Sequence, residues 1–152
     1  TYSHQHRQQW VQGVVNDANA QAFGGISTHA GLFGRIEDVS LWLLEMRHSL
    51  CSTHGFLASS TVKKFMQRSM PKECGDWSLG FMLPSYDGSS GKYFSKKSVG
   101  HLGFTGTSFW WDSVKDVFIV ILANRYVGQK EGEHFKLLRP KIHNLVMESL
   151  HI

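Results

Sequence analysis

A serine and a lysine three residues apart can form a nucleophile and its activating base, because the amine can take up the proton of the hydroxyl group. The sequence contains this spacing three times, at Ser60/Lys63, Ser69/Lys72 and Ser89/Lys92. Each serine has a simpler structural interpretation. Ser60 suits a helix cap, Ser69 lies just before Pro71 at a helix end, and Ser89 lies in a loop of serine and glycine. We therefore expect that none of the three is a nucleophile.

Histidine is the other residue type here with catalytic or metal-binding potential, and the chain has nine. Only His4 and His6 are near neighbours, and no second pair at ligand spacing accompanies them, so we expect no metal site. We also expect no cofactor. His29, next but one to Gly31, could line a cleft, but a buried histidine bonded to the backbone is the preferred interpretation.

Bulk composition excludes several classes of protein. The 152 residues, 41% of them hydrophobic, suffice for one domain core, and 18% charged and 12% aromatic residues fit neither a disordered tail nor a coiled coil. The net charge is +4, but basic residues form small groups such as Lys63 and Lys64 rather than a stripe, so we expect no nucleic-acid binding. No apolar run approaches the length of a membrane span, and the polar residues at 1–10 exclude a secretory signal within the chain. Cys51 and Cys74 could form one disulfide if the protein is exported.

Apolar periodicity predicts three helices. Val39, Trp42, Leu43 and Met46 are spaced as one face of a helix that runs from residue 36 to 47 or 48. A second helix is expected after a cap at 59–60 and ends at 71, and a third runs from about 140 to 150, with a proline in its first turn. The short polar side chains over 16–20 favour a loop.

Three successive strands are predicted over 98–104, 107–113 and 117–124, with a short hairpin connecting the last two, and a further short strand over 77–83. Residues 118–122 are apolar on both faces, which is typical of a central strand covered on both sides. Trp110 and Trp111 must face opposite sides, so at most one could contact a substrate. Asp112 and Asp116 are interpreted as hairpin residues. The sequence therefore predicts an α+β fold, an antiparallel sheet flanked by helices.

Two stretches resemble the β-lactamase and penicillin-binding-protein family of serine hydrolases, especially the class C-type β-lactamases. The first runs from Gly13 through Asn16 and Asp17 and on through His29-Ala30-Gly31-Leu32-Phe33 to the helix that begins near 36. The second is Gly100-His101-Leu102-Gly103-Phe104-Thr105-Gly106-Thr107, followed by a hairpin and Leu122-Ala123-Asn124-Arg125. The resemblance implies that residues 1–152 form one incomplete domain, the C-terminal half of a β-lactamase/transpeptidase-like fold.

The resemblance also assigns site residues. His101 takes the place of the family's basic residue in its third active-site motif, and Gly103 takes the place of the glycine beside which substrate lies. Leu102 replaces the usual Thr or Ser, which removes a hydroxyl group and favours an ester or another amide over a penicillin-like substrate. The backbone N–H of Phe104 corresponds to one donor of the oxyanion hole. Asn16 stands where relatives often have histidine.

The family's other two motifs, a Ser-x-x-Lys in the required context and a Tyr-x-Asn, are absent from the sequence. The resemblance therefore implies part of a serine hydrolase that acts through an acyl-serine intermediate on an ester, amide or β-lactam bond, with the isolated chain inactive. An alternative is a truncated, non-catalytic binding module from the same family. The expected partners are a small-molecule substrate and the missing N-terminal half, and self-association through exposed apolar surface is plausible. The compartment is open, and periplasmic or secreted if the full-length protein carries a signal peptide.

Overall fold

The computed structural model describes residues 2–3, 9–85, 87–126 and 133–152. Two short strands at the start, β1 (Tyr2–Ser3) and β2 (Gln9–Trp10), pair antiparallel with each other. Three helices follow, namely α1 (Ala18–Ala22), α2 (Ile36–Cys51) and α3 (Ser59–Met66). After a 3-10 turn at Lys72–Cys74 come the strands β3 (Val99–Leu102), β4 (Ser108–Asp112) and β5 (Val117–Ile121), and then the helix α4 (Glu133–Ser149).

The three strands β3, β4 and β5 form one antiparallel sheet in chain order, so β4 lies in the middle. His101 faces Phe109 across the first pair of strands, and Trp110 faces Ile119 across the second. Because side chains alternate along a strand, Trp110 and Trp111 point to opposite faces, which confirms the expectation from the sequence. Both indoles are buried, at 1% and 2% exposure, and each belongs to a different core.

One face of the sheet is covered by α2 and α3. Leu43 and Met46 of α2 and Val62 of α3 pack against Val99 and Trp111 of the sheet. Two of these residues belong to the apolar stripe that predicted α2, so the helix buries the face that the sequence indicated. The helix begins at Ile36 because the Asp38 carboxylate accepts a hydrogen bond from the Arg35 N–H, at 2.9 Å.

The opposite face is covered by α4. Met147 of this helix packs with Phe94, Trp110 and Ile119 in a second core. Full burial of an indole removes about 150–250 Å² from water, which corresponds to roughly 4–6 kcal/mol. The sheet is thus a middle layer with helices on both sides, and the α+β prediction is confirmed.

Several predictions about helices were wrong. α4 begins at Glu133 rather than at 140, so Pro140 lies inside it, and the helix continues through the proline because its buried face anchors it on both sides. The cap of α3 is Ala58, and Ser59 and Ser60 are helical; the Ser59 hydroxyl donates to the Leu50 carbonyl instead. Residues 18–22 are helical rather than a loop, because the Asp17 side chain caps the first turn by accepting from the Ala20 N–H. α2 also continues to Cys51, beyond the predicted end, and α3 ends at Met66 rather than at 71.

Two predictions about strands were also wrong. Residues 77–83 form isolated bridges rather than a strand, since Gly80 adopts a φ of +93° that interrupts the extended backbone. β5, which covers most of the predicted central strand, lies at the edge of the described sheet and pairs with β4 alone, although both of its faces are packed against the two cores as predicted. The two predicted hairpin aspartates are confirmed: Asp112 accepts from the N–H groups of Val114 and Lys115, and Asp116 has a φ of +54°.

Both cysteines are free and exposed, so the possible disulfide between Cys51 and Cys74 is not formed in this structure. Within the described ranges, no helix combines the length and the apolar character that crossing a bilayer requires.

Candidate active-site edge

The outer edge of β3 carries the backbone groups on which the candidate site depends. The Gly103 N–H donates to the Thr107 carbonyl at 2.8 Å. Because backbone groups alternate in direction along a strand, the N–H and C=O groups of residues 99, 101 and 103 point towards β4. The groups of Gly100 point the other way and pair with Met82 in both directions, at 2.8 and 3.0 Å. The next N–H group on this outer edge belongs to Leu102. It lies beyond the bridge between Met82 and Gly100.

His101 lies exposed on the face of the sheet that α2 and α3 cover. Its Nδ1 atom is 3.0 Å from the Leu102 carbonyl oxygen, and its ring centre is 5.8 Å from that of Trp77. A carbonyl oxygen only accepts, so Nδ1 carries the hydrogen and Nε2 of the neutral ring keeps its lone pair. The imidazole is therefore oriented to accept a proton at Nε2.

The two predicted substrate-contacting residues differ in what they present. The Leu102 side chain packs against the second core, on the α4 side, so only its backbone is available at the edge. A Cβ atom on Gly103 would lie 1.9 Å from Thr107 Oγ1, which gives this glycine a packing role within its own turn. Contact of either residue with a substrate remains a prediction.

Phe104, the predicted oxyanion donor, sits in a tight turn between β3 and β4. The Gly106 N–H donates to the Gly103 carbonyl at 3.0 Å, and Gly106 has a φ of +119°, which favours glycine. The ring of Phe104 is 70% exposed. Its N–H group has no acceptor in the described part of the chain. The turn therefore holds one backbone donor free beside the open edge.

Arg125 holds this turn in place. Its Nε donates to the Phe104 carbonyl at 2.6 Å, and its backbone N–H donates to the Thr105 carbonyl at 2.7 Å. The guanidinium lies 4.8 Å from the ring centres of both Phe104 and Tyr126, and its Nη2 donates to the Tyr126 hydroxyl. Sequence reasoning gave Arg125 no role, although it ends the second stretch of resemblance.

A second polar cluster joins Ser27, His29 and Asp17. Ser27 Oγ lies 2.6 Å from His29 Nδ1, and His29 Nε2 lies 2.9 Å from Asp17 Oδ1. The hydrogen bond from the Ala20 N–H and the contact with His29 hold the pKa of Asp17 below its usual value. The His29 side chain is 48% exposed, so the preferred interpretation as a buried histidine was wrong. Its ring bonds to side chains rather than to backbone, which the glycine-rich local sequence did not reveal.

The three Ser-x-x-Lys pairs form no catalytic contact. Among the described residues, no hydrogen bond joins the serine of any of these three pairs to its lysine; the Ser69 hydroxyl, for example, faces the Trp77 carbonyl at 3.5 Å. That none of the three serines is a nucleophile remains a prediction.

Comparison with known proteins gives a consistent family assignment. The β-lactamase family profile matches residues 1–140. Proteins provisionally named D-alanyl-D-alanine carboxypeptidase are similar to the chain: one from Salmonella agona is 31% identical over 144 residues, covering 90% of the chain and 31% of the relative. Another, from Escherichia coli O157:H7, is 32% identical over 124 residues, covering 74% of the chain and 27% of that relative. The chain thus spans about a third of the length of the curated relatives it matches.

A solved structure agrees with the fold. The crystal structure of a β-lactamase from Mycobacterium bovis matches with a TM-score of 0.62 at 19% identity, covering 86% of this chain and 53% of that one. The resemblance read from Gly100 to Arg125 and from Gly13 to Phe33 is thereby confirmed. This chain belongs to the β-lactamase and penicillin-binding-protein-like family of serine hydrolases.

Proposed function

We propose that the chain is one incomplete domain that supplies a wall and an oxyanion donor to an acyl-serine active site. The nucleophilic serine comes from the N-terminal half of the fold, which lies outside this chain. The bond that is cleaved is an ester, an amide or a β-lactam. The observation that carries the proposal is the Phe104 N–H group, held by Arg125 at an open strand edge next to His101.

The proposed reaction uses three groups of this chain. The serine oxygen attacks the substrate carbonyl carbon while its proton passes to the lysine of the Ser-x-x-Lys motif in the N-terminal half, and the carbonyl oxygen takes up negative charge as the tetrahedral intermediate forms. The bond from the carbonyl carbon to the leaving nitrogen or oxygen then breaks, the leaving group takes up that proton, and water later hydrolyses the acyl-serine. The Phe104 N–H donates to that oxygen, and a donor of this kind typically contributes a factor of about 10²–10³ to the rate. The Leu102 N–H, which has no acceptor among the described residues, aligns the substrate along β3, as a partner strand would. His101 Nε2, whose lone pair is available, accepts a hydrogen bond from a polar group of the substrate or of the N-terminal half.

Two observations favour an amide or ester over a penicillin-like substrate. Leu102 brings no hydroxyl group to the edge, because leucine has none, and its side chain packs against the second core. The relatives from Salmonella and Escherichia coli carry the name of a carboxypeptidase that acts on D-alanyl-D-alanine, a peptide amide. A short peptide ending in D-residues is therefore the first substrate to test.

Exposed apolar side chains support the incomplete domain. Phe23, Ile26 and Leu32, in the segment from α1 to α2, are 73%, 88% and 99% exposed. Exposure of large apolar side chains along one segment is characteristic of a surface that another part of a fold or a second copy covers. The N-terminal half is the proposed partner, and self-association is expected when it is missing.

The isolated chain is predicted to show no turnover, because it holds no activated serine. The measurement is hydrolysis of a chromogenic β-lactam and of a p-nitrophenyl ester, with Ser60→Ala as the control for the best-placed Ser-x-x-Lys pair. A burst of product that disappears in Ser60→Ala would show that the chain carries its own nucleophile and would refute the proposal.

The role of Phe104 is tested in the full-length protein with a matched pair of variants. Phe104→Pro removes the N–H donor, whereas Phe104→Ala removes the ring and keeps the donor. We expect kcat to fall about 10²–10³-fold in Phe104→Pro and much less in Phe104→Ala. Equal losses in the two variants would mean that the ring, and not the N–H group, matters.

The alternative of a non-catalytic binding module is favoured because, among the described residues, no hydrogen bond joins the serine and the lysine of any of the three Ser-x-x-Lys pairs. The coding sequence upstream of Thr1 separates the two functions. An in-frame Ser-x-x-Lys followed by Tyr-x-Asn supports the enzyme, and a start codon close to Thr1 supports the module.

A further inference from the structure

The carbonyl groups at the end of β3 and in the turn that follows it are occupied by donors of the chain itself. The first is that of Leu102, whose oxygen lies 3.0 Å from His101 Nδ1. Because a carbonyl oxygen only accepts, Nδ1 carries the hydrogen and donates it. The imidazole ring also contacts the Trp77 ring, with 5.8 Å between the ring centres. The carbonyl that an added strand would use at this edge is thus capped by a side chain.

The next three carbonyl groups accept hydrogen bonds from the turn or from the segment beside it. The Gly103 oxygen accepts from the Gly106 N–H at 3.0 Å. The Phe104 oxygen accepts from Arg125 Nε at 2.6 Å, and the Thr105 oxygen accepts from the Arg125 backbone N–H at 2.7 Å. Four consecutive carbonyl groups, those of residues 102–105, therefore each hold a donor.

The N–H groups of the same segment are in the opposite condition. Gly103 donates its N–H to the Thr107 carbonyl, but the N–H groups of Leu102, Phe104 and Thr105 have no acceptor among the described residues. These three residues are half-buried or exposed, so water satisfies their N–H groups until a ligand replaces it. The segment therefore presents three available donors and no unoccupied carbonyl group.

We propose that residues 102–105 form a donor-only segment, which selects ligands by their carbonyl oxygens and gains little from their N–H groups. The assignment rests on the proposed function and narrows the ligand class at that site, because an ester is accepted there as well as the corresponding peptide amide. A ligand N–H group would have to share an oxygen that already accepts a hydrogen bond. An ordinary strand edge offers N–H and C=O groups together, so it rewards both groups of a peptide.

The first test needs no ligand and measures amide hydrogen exchange and the imidazole 15N shifts of this chain. The N–H groups of Leu102 and Phe104 are expected to exchange fast, whereas those of Gly103 and Gly106 are protected by their hydrogen bonds. In the neutral ring of His101, the hydrogen is expected on Nδ1. Protection of the Leu102 N–H equal to that of Gly103, or a His101 Nδ1 without hydrogen, overturns the proposal.

The second test compares the affinities of three probes for this chain by NMR titration. The probes are N-acetyl-D-alanyl-D-alanine and two analogues, in each of which one N–H group is replaced by an ester oxygen. We expect saturable shifts of the Leu102 and Phe104 N–H signals, with the three Kd values within about twofold of one another. A larger loss of affinity in either analogue, or no saturation with any probe, overturns the proposal.

A matched pair of variants tests the cap on the Leu102 carbonyl. His101→Phe keeps a ring beside Trp77 but removes the donor, whereas His101→Asn keeps an amide donor near the place of Nδ1. In His101→Phe the peptide is expected to bind roughly 2–10-fold more tightly than at least one ester analogue, and in His101→Asn the affinities stay equal. Equal affinities in His101→Phe would show that the cap does not set the selectivity and would count against the proposal. If His101→Phe does not fold, the titration of the unchanged chain decides.

Failure of the donor-only segment can be told apart from failure of the acyl-serine site. The binding comparison involves no cleavage, because the chain alone is predicted to show no turnover. The kinetics of Phe104→Pro in the full-length protein report the oxyanion donor and do not depend on the N–H groups of the ligand. A protein that loses kcat in Phe104→Pro but binds the peptide more tightly than its ester analogues refutes the donor-only segment alone.

Discussion

His143 is expected to make the fold sensitive to mild acid. The side chain is fully buried, with Nδ1 2.9 Å from the Ser89 carbonyl oxygen and Nε2 3.3 Å from the Ser108 hydroxyl. The carbonyl only accepts, so Nδ1 carries the hydrogen, and Nε2 of the neutral ring can accept from the Ser108 hydroxyl. Burial, and to a smaller extent the positive charge of Arg139, lowers the pKa of His143 from 6.5 to about 4.

Proton linkage gives the sign and size of the effect of pH on the free energy of unfolding. The unfolded chain binds the His143 proton near pH 6.5 and the folded chain only near pH 4, so protons favour the unfolded state between these values. The free energy of unfolding is therefore unaffected by this group above pH 6.5. It falls as the pH drops through the window, and the loss reaches about 3 kcal/mol by pH 4. Carboxylates with lowered pKa values, such as Asp112, act mainly below this window.

The assay is urea unfolding at pH 7, 6, 5 and 4, followed by the fluorescence of the buried tryptophans. His143→Asn is the control, because its amide can donate to the Ser89 carbonyl and does not titrate. We expect the variant to be less stable at pH 7 but to lose little further stability down to pH 5. The reasoning is refuted if both proteins have the same slope against pH, or if NMR shows the His143 ring titrating near 6.5 in the folded chain.

Two further substitutions test the packing on either side of the sheet. Gly100→Ala is expected to lower the free energy of unfolding in urea by about 1–3 kcal/mol, because its Cβ would lie 2.4 Å from the Phe109 carbonyl oxygen. Gly34→Ala is the control: its Cβ would meet nothing closer than 3.9 Å, so the free energy of unfolding should change by no more than about 0.5 kcal/mol. Leu43→Ala is expected to cost about 2–5 kcal/mol, because the side chain is 1% exposed, and Leu41→Ala, at 64% exposure on the same helix, serves as the control. Similar losses in Leu43→Ala and Leu41→Ala would contradict the assignment of the α2 core face.

The elements that a regular apolar pattern defines were predictable. The stripe containing Leu43 and Met46 located α2 and its buried face, and the alternation along β4 placed Trp110 and Trp111 on opposite sides. The start of α4 was not predictable, because its buried stripe begins with Arg139 and His143, which do not contribute to an apolar pattern. Burial against the sheet outweighed the local preference of proline for a first helical turn.

The candidate site was only partly accessible from the sequence. The segment from His101 to Phe104 is a contiguous motif, so a resemblance could reveal it. The hydrogen bond from Arg125 to the Phe104 carbonyl joins residues that are 21 positions apart in the sequence, and the contact of His29 with Asp17 joins residues 12 positions apart. Contacts of this kind depend on how turns bring separate segments together, and a single sequence does not specify them. For the contact of Arg125 with the turn, the sequence offered one signal, which is that Arg125 directly follows Asn124 at the end of the second stretch of resemblance.

The pairing of Gly100 with Met82 has a consequence for how the sheet meets other molecules. An exposed strand edge is a template onto which any extended chain can add, including another copy of the same sheet. The two hydrogen bonds to Met82 close this edge at Gly100, so an incoming strand can pair only from Leu102 onwards. The end of a short peptide could pair with this short length of strand edge, but a long strand could not. In the proposed function, the same bridge therefore sets the register of the ligand, and it also limits the addition of a strand from another molecule at β3.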